Sequence, residues 1–206
     1  LEGKLYLAIF FIISLLISFF IVKNTNTNFL VSTILIGSAF FLFFITIRDF
    51  FLKKFKDIQQ NIAHFGFSLL ILSILFNNIF SSELIANLKV GESIKNDRFE
   101  IIFNKLEKFK EKNYILFKGN FSIIENQIED ELEPELRIYN QPNIITSEAD
   151  IKTSLLTDKF ITMNIVQNEE YFNIRYQVKP FMIWIWISVL LISLGGLISL
   201  FKKKYE

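Results

Sequence analysis

Apolar positions in this chain do not alternate with polar ones at a helical or strand period at first. They come as four long, predominantly apolar blocks. Leu5 to Val22 is interrupted only by Tyr6, Ser14 and Ser18, Phe29 to Ile47 is closed by Arg48-Asp49, and the others run from Ile62 to Phe80 and from Phe181 to Phe201. The first block would be about 27 Å long as a helix at ~1.5 Å per residue, close to the thickness of a bilayer core. It is longer than the usual signal-peptide core of roughly 7 to 15 residues, and no small-x-small cleavage site follows it. All four blocks therefore predict membrane-spanning helices.

From Ser81 to Val178 the pattern changes. Arg98 to Phe103, Tyr114 to Phe117, Phe121 to Glu125, Phe160 to Val166 and Tyr171 to Val178 are short and rich in Ile, Phe, Tyr and Val. Polar clusters such as Glu111-Lys112-Asn113 and Lys118-Gly119-Asn120 separate them, which is the punctuation of strands and turns. Gly119-Asn120 reads as a hairpin turn or bulge, and Gln167 to Glu170 as a second hairpin loop. Thr146 to Lys159 has more helical character, with Ser or Thr near its start and Glu148 close behind. The pattern predicts a polytopic α-helical membrane protein of four spans, with an extracytoplasmic β-rich domain inserted between spans three and four. Its parts would be residues 1–80 with the first three spans, 81–178 as the β-rich domain, and 179–206 with the last span and a basic cytoplasmic tail.

Charge orients this arrangement. Lys4 precedes the first span, Lys23 alone sits in the first turn, Arg48, Lys53, Lys54 and Lys56 crowd the second, and Lys202 to Lys204 follow the last. Positive charge is retained on the cytoplasmic side, so both ends and the basic turn are expected inside and residues 81–178 outside. A net charge of +1 over 206 residues, with no basic stripe interleaved with aromatics, gives no reason to expect nucleic acid as a partner. The absence of cysteine excludes a disulfide framework, a thiolate metal site and a Cys nucleophile on this chain, and one histidine cannot build a multi-histidine metal site. The chain begins with Leu1 and not Met, as a fragment or processed product would.

Few residues stand out as candidates for chemistry. Glu129 to Glu135 is strongly acidic, but it lacks the Gly that gives a calcium loop its sharp turn, and a solvated acidic loop is the expectation. Trp184 and Trp186 lie at the start of the fourth span, where an aromatic belt anchors helices at the outer interface. Gly195-Gly196 permits close helix packing. His64, in Asn61-Ile62-Ala63-His64-Phe65-Gly66-Phe67, is the ionisable group inside a span. On its residues alone it reads either as an imidazole at the headgroup interface or as an axial ligand to a haem iron buried between helices, with Gly66 easing the approach of a flat macrocycle.

Taken in order, several short motifs form a recognisable series. They are Ala63-His64-Phe65-Gly66, Val90-Gly91-Glu92-Ser93-Ile94, Pro134-Glu135-Leu136-Arg137-Ile138-Tyr139, Thr146-Ser147-Glu148 with Ile151, and Asp158. Arg175 before Lys179-Pro180-Phe181, then Trp184-Ile185-Trp186 and Gly195-Gly196 complete it. From about Ile62 to Lys204 this resembles the C-terminal portion of the CcmF family, the large membrane subunit of the haem lyase system of bacteria and plant mitochondria. The resemblance implies covalent attachment of haem to the CxxCH cysteines of apocytochrome c on the outer face of the bacterial inner membrane, with residues 81–178 in the periplasm. It implies a membrane haem b held by two histidines, of which His64 matches the C-terminal one. The second ligand, and the tryptophan-rich loop that receives haem from its chaperone, would lie in an upstream portion of the protein or a split partner subunit. Thiol-handling maturation subunits would be further partners. The isolated fragment would be inactive as a lyase.

The rival reading from another class is a membrane-anchored, non-enzymatic binding or sensor domain whose spans only hold it in place.

Overall fold

The structure is a computed structural model that describes residues 2–23, 25, 28–52, 58–125, 127–166 and 170–203. These residues contain four helices, α1 (Glu2–Val22), α2 (Phe29–Leu52), α3 (Ile58–Phe80) and α4 (Met182–Lys203). Ten strands lie between α3 and α4: β1 (Ser82–Leu88), β2 (Ser93–Lys95), β3 (Glu100–Lys110), β4 (Tyr114–Glu125), β5 (Ile128–Leu132), β6 (Glu135–Tyr139), β7 (Ile145–Glu148), β8 (Asp150–Thr153), β9 (Thr157–Ile165) and β10 (Phe172–Pro180). The chain divides into a helical unit, 1–80 with 180–206, and a β unit, 81–179.

All four helices are long and apolar enough to cross a membrane, and the chain is a multi-pass membrane protein. α2 runs past Ile47 through Arg48 and Asp49 to Leu52, and α3 starts at Ile58, ahead of the apolar block that begins at Ile62. The basic residues Lys53, Lys54, Lys56 and Lys204 lie outside the described residues. Within the helices the hydroxyls turn back on their own backbone. Ser14 donates to the Phe10 carbonyl at 2.7 Å, Thr46 to Leu42 at 2.6 Å and Ser188 to Trp184 at 2.6 Å. Lipid offers no partner, so such bonds remove the cost of a polar atom in hydrocarbon. Ser18 instead donates across to the Thr33 carbonyl at 2.6 Å and ties α1 to α2.

The β unit is a sandwich. One sheet has the order β1-β10-β9-β8, and the other β2-β3-β4-β6-β7 with β5 also paired to β4. Its core alternates at the strand period: Ile101 and Phe103, Phe121 and Ile123, Ile161 and Met163, and Phe172, Ile174 and Tyr176 are all buried. Phe103 stacks on Phe121 with ring centroids 4.3 Å apart and meets Phe172 edge-on at 5.7 Å, so aromatic rings join the two sheets.

Three local expectations give way here. Gly119-Asn120 is not a turn, because β4 runs through it from Tyr114 to Glu125. A Cβ on Gly119 would come within 2.7 Å of the Phe121 ring and 3.0 Å of Met163 Sδ, so the glycine makes room for a core aromatic. The irregularity falls on the facing strand, where the register shifts between Phe103 and Lys105 and leaves Asn104 bulged. Thr146 to Lys159 forms β7, β8 and the start of β9, since pairing with β6 and β9 overrides the local cap signal. The acidic stretch is a strand: β5 pairs with β4, and Pro134, which has no N–H to give, marks the break before β6. Residues 167–169 of the second hairpin loop lie outside the described residues, while the Val166 N–H donates to the Tyr171 carbonyl at 3.1 Å.

Asp130 on β5 is 8% exposed and accepts from Lys152 Nζ at 2.6 Å and Lys159 Nζ at 3.0 Å. Lys159 also reaches Glu125 at 2.5 Å, so strands of both sheets meet in one ion cluster. The hydrogen bond from Lys152 holds the Asp130 carboxyl below its ordinary value of 3.8; burial opposes this and Lys159 adds to it. For Lys159, burial pushes the ammonium down, but Glu125 and Asp130 together carry it above its ordinary value.

A carboxyl whose folded pKa is depressed contributes stability above its unfolded pKa and loses it as pH falls through the folded value. Circular dichroism of the β unit in the detergent-solubilised chain should show a loss of stability that begins below about pH 4. Asp130→Asn should remove that acid-sensitive part and cost about 2 kcal/mol at neutral pH; an unchanged acid profile in the variant would exclude Asp130 as its source.

Candidate functional site

Three consecutive residues of α3 point three ways, because each helical step turns the side chain by about 100°. Phe65 packs on Phe43 of α2 with ring centroids 5.5 Å apart. Gly66 is buried against α4, where an added Cβ would lie 2.9 Å from the Ser188 carbonyl oxygen and 2.9 Å from Leu191 Cβ. His64 faces neither helix and is exposed. It has no hydrogen-bond or ion-pair partner among the described residues.

The α3–α4 contact is closed a second time at Gly195, where a Cβ would meet the Gln59 carbonyl oxygen at 2.7 Å and Ala63 Cβ at 2.8 Å. Gly66 and Gly195 thus bring two backbones together, as small residues do in lipid. Gly66 serves α4, and so does not line the open side of His64. A Cβ added at Gly196 would meet nothing within 4 Å, and this glycine plays no part in the contact. At the other end of the pair, Asn77 Nδ2 donates to the Pro180 carbonyl at 2.7 Å, and Phe181, held at φ 61°, lays its ring 5.3 Å from that of Phe76.

With α2 and α4 on two sides of α3, the remaining side is a stripe of Gln60, His64, Phe67, Ile71, Ile74 and Asn78, spaced three or four residues apart. Phe67 is 51% exposed and Ile74 50%. His64 lies about 9 Å along α3 from its first residue at ~1.5 Å per residue. The stripe therefore combines one uncovered imidazole with a flanking apolar surface. That donor set fits one face of a haem: a neutral imidazole supplies an iron ligand, and Phe67 and Ile71 supply a dry flank. A cavity of about 490 Å³ lined by Ile47, Phe50, Phe51, Ile58, Ile62, Phe65 and Leu191 lies on another side of α3 and does not include His64.

In the β unit, the Pro134-to-Tyr139 motif forms a local clasp. Arg137 donates to Glu135 Oε2 from Nε at 3.1 Å and from Nη2 at 2.7 Å. Its guanidinium carbon lies 5.7 Å from the centroid of the Tyr114 ring, which packs on Tyr139 at 5.2 Å. Both ends of the clasp are on paired strands, which is a structural role. No group of three or more His, Asp or Glu among the described residues could hold a metal ion. Trp184 and Trp186 are both in the first turns of α4, with Trp186 66% exposed.

Gly66→Leu or Gly195→Leu should push α3 and α4 apart and cost about 2 kcal/mol, whereas Gly196→Leu should cost almost nothing. Thermal unfolding of the three variants in detergent checks this; equal loss in all three would show that the α3–α4 contact is not glycine-dependent.

Residues 79–180 match the family described as the CcmF C-terminal beta-sandwich. The chain is similar to the cytochrome c-type biogenesis protein CcmF of Haemophilus influenzae, with 32% identity over 146 residues that cover 70% of this chain and 22% of that protein. It is similar to CcmF of Pseudomonas fluorescens at 29% over 148 residues, covering 71% of this chain and 22% of that protein. The cytochrome c-type biogenesis protein NrfE of Haemophilus influenzae matches at 24% over 180 residues, or 84% of this chain and 28% of that protein. The chain thus spans about a fifth of the length of the CcmF relatives it matches. Among solved structures, one titled cytochrome c heme lyase CcmF shares the fold, with a TM-score of 0.68, 14% identity, and coverage of 91% of this chain and 33% of that one.

Proposed function

Starting from a chain that corresponds to the C-terminal portion of the cytochrome c-type biogenesis protein CcmF, we propose that it works in cytochrome c maturation by contributing His64 as one of two axial ligands of a membrane haem b. The observation that carries this reading is the imidazole of His64, exposed on the one side of α3 that neither α2 nor α4 covers and without a partner among the described residues. An ionisable side chain left bare on a spanning helix is costly in lipid, so a structure that keeps it there provides something to meet it. The second histidine comes from the upstream portion of the same protein or from a split partner subunit.

His64 would hold the iron as a neutral donor: one ring nitrogen would give its lone pair, and the other would carry the proton and set the ring orientation through whatever accepts it. Phe67 and Ile71 exclude water beside it. When bound, the haem supplies a one-electron redox centre whose potential depends on its axial ligands and on burial. In the proposed role that centre would serve the covalent attachment of haem to apocytochrome c.

With four spans, residues 81–179 and the first turn would lie on one side and the second turn and both ends on the other. The excess of Arg and Lys at the second turn favours the cytoplasm for that turn, and hence the periplasmic side of the bacterial inner membrane for the sandwich. Apocytochrome c, the haem chaperone and thiol-handling subunits are the partners this location allows.

His64→Ala in the complex with the upstream portion should abolish the low-spin b-type signal in a reduced-minus-oxidised spectrum while leaving membrane insertion unchanged. Undiminished haem b in a folded complex would sink the ligand assignment and favour an anchored binding domain.

A further inference from the structure

The turn between β8 and β9 has an unusual composition for its geometry. Ser154 and Thr157 close it tightly: the Ser154 N–H donates to the Thr157 carbonyl at 2.9 Å, and the Thr157 N–H donates to Ser154 Oγ at 3.0 Å. The two residues between them are Leu155 and Leu156, exposed to 69% and 60%. Such positions ordinarily hold Gly, Asn or Asp. Neither leucine belongs to the core of the sandwich.

Strand register shows where this turn lies within the β unit. β10 pairs with β1 so that Val178 faces Ser82, β9 and β10 form a hairpin closed at Val166 and Tyr171, and β8 pairs with β9 so that Thr153 faces Asp158. The start of β1, the end of β10 and the Ser154–Thr157 turn therefore share one end of that sheet. It is the end from which the chain passes directly to α3 at Phe80 and to α4 at Met182.

A third exposed aliphatic joins them. β8 runs beside β5, with the Glu133 N–H donating to Asp150 Oδ2 at 2.6 Å and Lys152 bonded to Asp130. This order carries the β4–β5 turn, and with it Ile128 at 65% exposure, to the same end. At the opposite end of β4 the turn is Glu111-Lys112-Asn113, all exposed and polar. Both turns at the end that leads to α3 and α4 thus expose large aliphatic side chains, while at the opposite end the polar β3–β4 turn stands beside a β6–β7 turn that exposes Ile144 and Ile145.

We propose that Leu155, Leu156 and Ile128 form a lipid contact, resting their side chains in the headgroup and upper acyl region of the bilayer that α3 and α4 cross. Aliphatic groups on a rigid turn lose water there without having to order any chain. Covalent continuity at that end of the sheet is what selects lipid over a protein partner as the occupant. The proposal is independent of His64 and of haem.

The chain has no cysteine, which makes single-site labelling direct. Leu156→Cys, Ile128→Cys and, as a reference, Asn113→Cys are labelled with an environment-sensitive fluorophore, and each full chain is reconstituted into phosphatidylcholine vesicles with or without brominated acyl chains. Labels at 156 and 128 should lose most of their emission to bromolipid and little to aqueous iodide, and the label at 113 the reverse. Iodide quenching at 156 without bromolipid quenching would overturn the proposal. Protection of 156 from both quenchers would also overturn it, in favour of a protein covering. Circular dichroism on each variant excludes misfolding, which exposed turn positions are not expected to cause.

Discussion

The backbone approach of α3 and α4 at Gly66 and Gly195 is the contact on which the helical unit is organised. Water is absent between helices in lipid, so no hydrophobic gain pulls them together, and close van der Waals packing has to serve instead. Once Gly66 is committed to α4 and Phe65 to α2, the helical repeat leaves His64 no choice of direction. The candidate ligand is thus positioned by its neighbours' packing and not by any contact of its own. A larger residue at Gly66 would disturb His64 without touching it.

The β unit solves a different problem, which is to hold two sheets in one register. Phe103 does so from inside, between Phe121 and Phe172. The Asp130, Lys152, Lys159 and Glu125 cluster does so at the margin, where desolvation and attraction oppose each other. Its value lies in matching particular strands as much as in net stabilisation. A one-residue slip of β8 would invert which side chains face Asp130.

The spans were legible because hydrocarbon demands an unbroken apolar block, a local property of the chain. The β-rich character of residues 81–178 was legible from short runs of Ile, Phe, Tyr and Val between polar clusters. Gly119 misled because its reason is tertiary: it yields space to Phe121 and Met163, and a glycine beside an asparagine otherwise signals a turn. Thr146 to Lys159 misled in the same way, since its capping residues are spent on strand pairing. His64 could be picked out as the ionisable group within a span, but its direction could not, because that depends on Leu191 and Ser188, far along the chain. The exposed leucines at 155 and 156 carried no sequence signal at all; a hydrophobic pair between strands reads as core until the turn is seen.

The pairing of β1 with β10 also bears on how the membrane part assembles. α3 and α4 are neighbours in space yet separated by about a hundred residues, and closing so long a loop costs entropy that grows with the logarithm of its length. When the sandwich folds, Ser82 and Val178 come to lie opposite each other, and the effective loop shrinks to a few residues. The difference is about 3 kcal/mol in favour of the helix pair. The sandwich thereby acts as a clamp on two strands of a tether, and its folding and the joining of the two helices each favour the other.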